Sequence, residues 1–152
     1  CDLLPETVSE LSKQKNIVGL KEASSDPGRL EELKASISDE NFLLYSGDDL
    51  TACSFMLQGG HGTISVTANI VPDKISRISE LALKKDISAS DLDKDLEKLH
   101  ENLFIESSPI PVKWALNKMG RIPEGIRLPL SHLDEAHHAE LNEILLELNL
   151  LD

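Results

Sequence analysis

Apolar residues recur with two different periods along the chain, and the switch between them divides it. Val8 and Leu11 stand at helical spacing within Pro5 to Lys15, and Pro5 suits a first helical turn. Asn16-Ile17-Val18-Gly19-Leu20-Lys21 is short and apolar with one glycine, the pattern of a buried strand. Ser25-Asp26-Pro27 then opens a helix, with Asp26 as N-cap, Pro27 at the first helical position and Leu30, Leu33 and Ile37 as the apolar stripe. A second strand, Phe42 to Ser46, ends at Gly47-Asp48-Asp49, and a helix from Leu50 to Gln58 follows. Gly59-Gly60-His61-Gly62 turns the chain into a third strand, Thr63 to Val66.

Strands alternating with helices imply right-handed crossovers and a parallel sheet with covered faces. After about residue 70 the pattern is purely helical. Ile75, Ile78 and Ala82 make one stripe, and Leu92, Leu96, Leu99 and Leu103 another. Pro109 and Pro111 open a helix through Trp114 to Met119, and Leu141, Ile144, Leu145 and Leu148 mark a last amphipathic helix. The chain therefore divides into an α/β part, residues 1–70, and a helical part, residues 71–152. A closed parallel barrel needs eight strands. The three here are either the last of eight, with helices appended, or a small open sheet, and periodicity does not choose.

Charge and composition narrow the partners. With 27 acidic and 15 basic side chains in 152 residues, the formal net charge is -12, which argues against nucleic acid or an anionic membrane as a partner. Runs such as Phe42-Leu43-Leu44-Tyr45 are far too short to span a bilayer, and the start has no basic segment followed by an apolar one. Cys1 and Cys53 form no disulfide framework and fit a reducing cytoplasm, with Cys53 read as an inert core thiol. The chain opens on Cys1 rather than Met, which suggests a piece of a longer chain.

Lys21 is the first candidate for chemistry. Alternation along a strand puts Ile17, Gly19 and Lys21 on one face and Val18 and Leu20 on the other. If Val18 and Leu20 pack on helices, Lys21 points into the lumen at the C-terminal end of its strand, where parallel α/β barrels hold their active sites. Burial there disfavours the ammonium form, and a neutral amine attacks carbonyl carbon. The plain alternative is a strand-end lysine that reaches solvent or pairs with Glu22.

Four motifs in order bear on that choice: Gly19-Leu20-Lys21-Glu22-Ala23; Leu44-Tyr45-Ser46-Gly47-Asp48-Asp49; Gly59-Gly60-His61-Gly62-Thr63-Ile64-Ser65-Val66-Thr67-Ala68-Asn69; and Pro109-Ile110-Pro111-Val112-Lys113-Trp114. Together they resemble the dihydrodipicolinate synthase (4-hydroxy-tetrahydrodipicolinate synthase) family over essentially the whole chain. The resemblance implies strands six to eight of a (β/α)8 TIM barrel followed by a C-terminal α-helical extension. It implies a lyase of lysine and diaminopimelate biosynthesis that condenses pyruvate with aspartate-4-semialdehyde, is cytoplasmic, uses no separate cofactor and is a homotetramer when intact. Lys21 matches the lysine that forms the imine with pyruvate. Ile64 matches the position whose backbone lines the pyruvate site, and Gly47 the glycine that leaves room for substrate. The family's proton-relay tyrosine, its carboxylate-holding threonines and an arginine for the second substrate all lie upstream of the lysine, so none carries over and this chain alone is expected to be inactive. Ser107-Ser108 stand where the family often has asparagine before Pro-x-Pro-x-Lys, a departure from its pattern. Relatives using the same imine, of the N-acetylneuraminate lyase or ketodeoxygluconate aldolase type, and a non-catalytic half-barrel are the alternatives.

The remaining polar motifs read as structural. Tyr45 is expected in the core or facing a helix, and His61 in a tight helix-to-strand turn. Asp48 and Asp49 are expected to cap a helix or to support the pocket. His137 and His138 are adjacent on a helix and diverge, so no metal site is expected. Ser65 and Thr67 lack a base at nucleophile-like spacing, and the acidic run Asp91, Asp93, Asp95 and Glu97 is expected to be solvated.

Overall fold

A computed structural model describes residues 2–151. In chain order the elements are α1 (Pro5–Ser12), β1 (Gly19–Glu22), α2 (Arg29–Ser36), β2 (Leu43–Ser46), α3 (Ala52–Leu57), β3 (Gly62–Thr63), α4 (Pro72–Leu83), α5 (Ser88–Lys94), α6 (Glu97–Asn102), α7 (Ile110–Lys118) and α8 (His138–Glu147), with 3-10 turns at Thr67–Asn69 and Glu135–His137. They fall into two compact units. One takes in the chain up to Ser65 together with Arg77–Ser90, and the other Val66–Ser76 with the chain from Asp91 onward. Among the described residues no helix is long and apolar enough to cross a membrane.

The first unit holds a parallel sheet in the order β1-β2-β3. Gly19 to Glu22 lie opposite Leu43 to Ser46, and Tyr45 and Ser46 opposite Gly62 and Thr63. One face is covered by helices: Val8 from α1, Leu30 and Leu33 from α2, and Phe42 and Leu44 from the β2 segment form a buried cluster, with Ile17, Leu20, Ile37 and Phe55 packed against it. Burying each of these leucines is worth about 1.5–3 kcal/mol, so the cluster fixes which face of the sheet is the inside.

Several local expectations are corrected. Val18 is 67% exposed while Ile17 packs on the helix side, the reverse of the expected alternation. The ladder begins only at Gly19, so the two-residue period does not extend back to them. Asp26 is no helix cap: its Oδ1 accepts the Gly28 N–H at 2.9 Å in a tight turn, and α2 starts at Arg29. Leu11 is exposed on α1, and Ser12 is buried in its place. The third strand is shorter and earlier than expected, and Val66 leads into a 3-10 turn. The long helix expected across Leu92 to Leu103 breaks into α5 and α6, so Leu92 is exposed while Leu96, Leu99 and Leu103 are buried.

The second unit packs α6, α7 and α8 together, with Leu96, Leu99, Leu103, Leu141, Ile144 and Leu145 buried. The Trp114 and His138 rings stack 4.9 Å apart, so His138 is a packing residue. Among the described residues no group of three or more His, Cys, Asp or Glu is placed to hold a metal ion.

Candidate active site

Three parallel strands end side by side in the first unit, and their hydrogen bonds continue one step past the regular ladder. The Gly47 N–H donates to Glu22 O at 2.6 Å, and the Ile64 N–H donates to Ser46 O at 2.8 Å. These two bonds draw the segments carrying Lys21, Gly47 and Ile64 to the C-terminal edge of one sheet. The arrangement therefore brings together all three residues singled out in the sequence.

Register assigns their faces. Leu20, Glu22, Leu44 and Ser46 alternate onto the helix-covered side, where Leu44 and Ser46 are buried. Gly19, Lys21, Leu43 and Tyr45 take the opposite side. The Lys21 stem runs across Gly47: a Cβ placed on Gly47 would fall on Lys21 Cε, 2.9 Å from its Cγ and 3.1 Å from Ala23 Cβ. Gly62 plays the same part for Tyr45, whose Cε1 would lie 2.8 Å from a Cβ there. Two glycines thus let the long side chains of this face lie flat over the strand ends.

Two expectations about this face change. Tyr45 shares the face of Lys21 and is half-buried, rather than lying in the core or against a helix. Residue parity along β2 gives that answer once Leu44 is known to be the buried neighbour. Lys21 itself is exposed, because among the described residues this face of the sheet is uncovered. Ile64 is 52% exposed for the same reason.

Glu22 does not pair with Lys21. Its Oε2 accepts from Arg29 Nε at 3.1 Å and its Oε1 accepts the Ser24 N–H at 2.7 Å. The Arg29 guanidinium also donates from Nη2 to Asp2 Oδ1 at 2.6 Å and to Leu3 O at 2.7 Å. The hydrogen bond to Glu22 is the main cause that raises the Arg29 pKa above its ordinary value. Burial opposes it and Asp2 adds to it. A shallow cavity lined by Asp2, Leu3, Leu20, Lys21, Glu22, Ala23 and Ser24 runs along this edge.

The flanking polar residues resolve into structural parts. His61 Nδ1 accepts the Leu44 N–H at 3.0 Å, and the His61 N–H donates to Leu44 O at 2.8 Å, so the residue extends the β2–β3 pairing by one position. Asp48 Oδ2 accepts from the Thr51 N–H and from Thr51 Oγ1 at 3.2 and 2.6 Å, holding the turn into α3. Cys53 is buried in α3.

One cluster escaped the sequence reading. In the second unit Thr67 Oγ1 lies 2.8 Å from His100 Nδ1, and His100 Nε2 lies 3.5 Å from Asp93 Oδ1. Thr67 therefore has a base beside it, contrary to the expectation from spacing, and Asp93 is not simply solvated. The separation of 33 positions between Thr67 and His100 hid the pair from any local motif. Thr67 is 0% and His100 1% exposed, so no substrate reaches the hydroxyl and the cluster reads as packing rather than nucleophilic chemistry.

The chain is similar to known proteins over nearly its whole length. The family model described as "Dihydrodipicolinate synthetase family" matches residues 1–148. The 4-hydroxy-tetrahydrodipicolinate synthase of Alcanivorax borkumensis is 54% identical over 153 residues, covering 100% of this chain and 52% of that protein. The Pseudomonas aeruginosa protein of the same name is 50% identical over 99% of this chain and 52% of its own length. Among solved structures, the chloride-inhibited dihydrodipicolinate synthase from Acinetobacter baumannii complexed with pyruvate superposes with a TM-score of 0.89 at 41% identity, over 99% of this chain and 52% of that one. The Thermotoga maritima dihydrodipicolinate synthase superposes with a TM-score of 0.92 at 33% identity, over 97% of this chain and 52% of that one. The chain spans about half the length of the curated relatives it matches. With a family model covering residues 1–148, this chain belongs to the dihydrodipicolinate synthetase family.

Proposed function

We propose that this chain supplies strands six to eight and the C-terminal helical extension of a (β/α)8 barrel, residues 1–70 and 71–152, and that the complete enzyme is a pyruvate-dependent class I lyase. The observation that carries this reading is Lys21 lying across Gly47 beside the segment of Ile64, at the C-terminal edge of three adjacent parallel strands. The Lys21 amine adds to the keto carbon of pyruvate, and loss of water leaves an imine. The imine withdraws electrons, so the pyruvate methyl loses a proton and the resulting enamine carbon attacks an aldehyde. Family membership and the names of the relatives support 4-hydroxy-tetrahydrodipicolinate as product, and on this reading the aldehyde is aspartate-4-semialdehyde and the setting is lysine biosynthesis in the cytoplasm. The Gly47-Asp48-Asp49, Ile64-to-Asn69 and Pro109-to-Lys113 motifs favour this substrate over those of the N-acetylneuraminate lyase and ketodeoxygluconate aldolase types. Ile64 lines the pyruvate site through its backbone, and the intact protein is a homotetramer.

The test is borohydride reduction with pyruvate in the protein that joins this chain to the barrel half its relatives carry. A reduced pyruvate adduct on the Lys21 peptide, and turnover with aspartate-4-semialdehyde but not with sugar-derived aldehydes, is the expected result. An adduct elsewhere would sink the assignment, and turnover with a sugar aldehyde alone would favour the aldolase reading.

The chain by itself behaves differently. Within the first unit β1 and β3 each have one strand neighbour, and the face carrying Lys21, Leu43 and Tyr45 is open. Open strand edges and an uncovered face recruit partners. The 152 residues alone are expected to be inactive and to self-associate or bind the missing half, as sedimentation velocity would show. A cooperatively melting monomer would contradict this.

A further inference from the structure

We propose that Arg29 is a positioning residue for Lys21, acting through the carboxylate of Glu22 at the end of β1. The inference rests on Lys21 being the imine-forming lysine.

Glu22 is tied at both ends. Its carbonyl accepts the Gly47 N–H, which completes the strand pairing, and its two carboxylate oxygens hold Ser24 N–H and Arg29 Nε. The bond to Ser24 curls the chain immediately after the strand, so the Glu22 carboxylate sets the direction in which the backbone leaves Lys21. The side chains of Glu22 and Arg29 are each only 10% exposed, so both charges lie largely out of water and depend on one another.

Arg29 has a fork to spare. While Nε serves Glu22, Nη2 grips Asp2 and the Leu3 carbonyl ahead of α1, and Nη1 lies 3.9 Å from Glu32 Oε2. One planar guanidinium therefore links three segments: the chain before α1, the end of β1 and the start of α2. The fork separates two roles in one residue. The Nε arm fixes the strand end that carries Lys21, and the Nη1 arm reaches only Glu32 on the exposed side of α2. Because Lys21 and Glu22 are adjacent and point to opposite faces, a small backbone shift at Glu22 swings the Lys21 stem, and the long side chain magnifies it at Nζ.

The fork also shapes the test. In the complete protein, trapping with pyruvate and borohydride is measured against pyruvate concentration, at a temperature where every variant is folded. Arg29→Met is expected to lower the saturating trapping rate by about tenfold to 100-fold, the range a displacement near 1 Å produces. The half-saturating pyruvate concentration stays nearly fixed. Arg29→Lys keeps a cation within reach of Glu22 and recovers most of the rate, although it loses the double grip of Nη2. Glu32→Gln weakens only the 3.9 Å contact to Nη1 on the exposed side of α2, and it leaves trapping at the wild-type rate. If Arg29→Met does not fold, Glu22→Gln is the second variant, and it slows trapping in the same direction. Trapping at the wild-type rate in Arg29→Met or Glu22→Gln, or equal slowing in Glu32→Gln, overturns the positioning role. Wild-type protein that forms no adduct on Lys21 overturns the imine reading itself, and this inference with it.

Discussion

Lys21→Ala in the complete protein is expected to lose the borohydride-stable pyruvate adduct entirely and at least about 10³-fold in turnover, since the covalent intermediate cannot form. The same substitution is expected to leave the fold intact, since Lys21 is no part of the buried cluster under the sheet. The two expectations come from one observation: Lys21 stands on the face away from the core cluster, while Glu22 beside it takes Arg29 as partner. Nothing in the cluster of Val8, Leu30, Leu33, Phe42 and Leu44 touches the ammonium, so the core survives its loss. Lys21→Arg sharpens the test. It keeps the charge and most of the stem, but a guanidinium stays protonated and is no nucleophile toward a carbonyl. If charge were the contribution of Lys21, the arginine variant would keep activity. If nucleophilicity is, both variants are equally dead, with melting curves close to wild type. Retained turnover in Lys21→Ala would remove the residue from the mechanism. Intact-mass analysis after reduction reads the adduct and circular dichroism melting reads the stability.

How much of this was legible beforehand depends on the range of the interaction concerned. Elements appear where the period is local: Leu30, Leu33 and Ile37 mark α2, and Leu141, Ile144 and Leu145 mark α8, because a helix repeats its face every few residues. The positions of Lys21 and Gly47 at strand ends were readable for the same reason, since each closes a short apolar run, whereas Ile64 was expected inside a third strand that in fact ends at Thr63. What alternation could not supply was where a ladder begins. β1 starts at Gly19, and although the Val18 carbonyl accepts the Leu43 N–H at 3.0 Å, its side chain turns to solvent instead of to the helices. Asp26 looked like a helix cap because Asp-Pro usually opens a helix, yet its carboxylate is spent on the Gly28 N–H and the helix waits until Arg29. Long-range pairs were invisible. Arg29 meets Asp2 across 27 residues and His100 meets Thr67 across 33, distances at which sequence spacing carries no signal. Tyr45 was misplaced for an intermediate reason: its strand was identified, but the face depended on knowing that Leu44 rather than Leu43 meets the helices.

Gly47→Ala is expected to separate activity from stability while leaving the lysine itself in place. A methyl group at Gly47 falls on Lys21 Cε and within 2.9 Å of Cγ, closer than carbon atoms approach without displacement, and it lies 3.1 Å from Ala23 Cβ. Something must move, and the cheapest movement is the lysine. Its stem is flexible and exposed, while the Gly47 backbone is anchored by the 2.6 Å bond from its N–H to Glu22 O. The strain is therefore relieved by swinging Lys21 off the strand end rather than by opening the sheet. The stability cost is expected at the low end of overpacking, about 1 kcal/mol. The cost to the reaction is larger, because a nucleophile displaced by about 1 Å from its attack geometry loses on the order of 10²-fold in rate. Gly28→Ala is the matched control. A Cβ there would meet only Asp26 Oδ1 at 3.4 Å, and the residue already has ordinary right-handed helical torsions. It is expected to keep wild-type trapping. Equal loss in both variants would assign the effect to general perturbation of the fold. A Gly47→Ala protein that traps pyruvate at the wild-type rate would show that the lysine reaches its substrate by a path other than the one across Gly47.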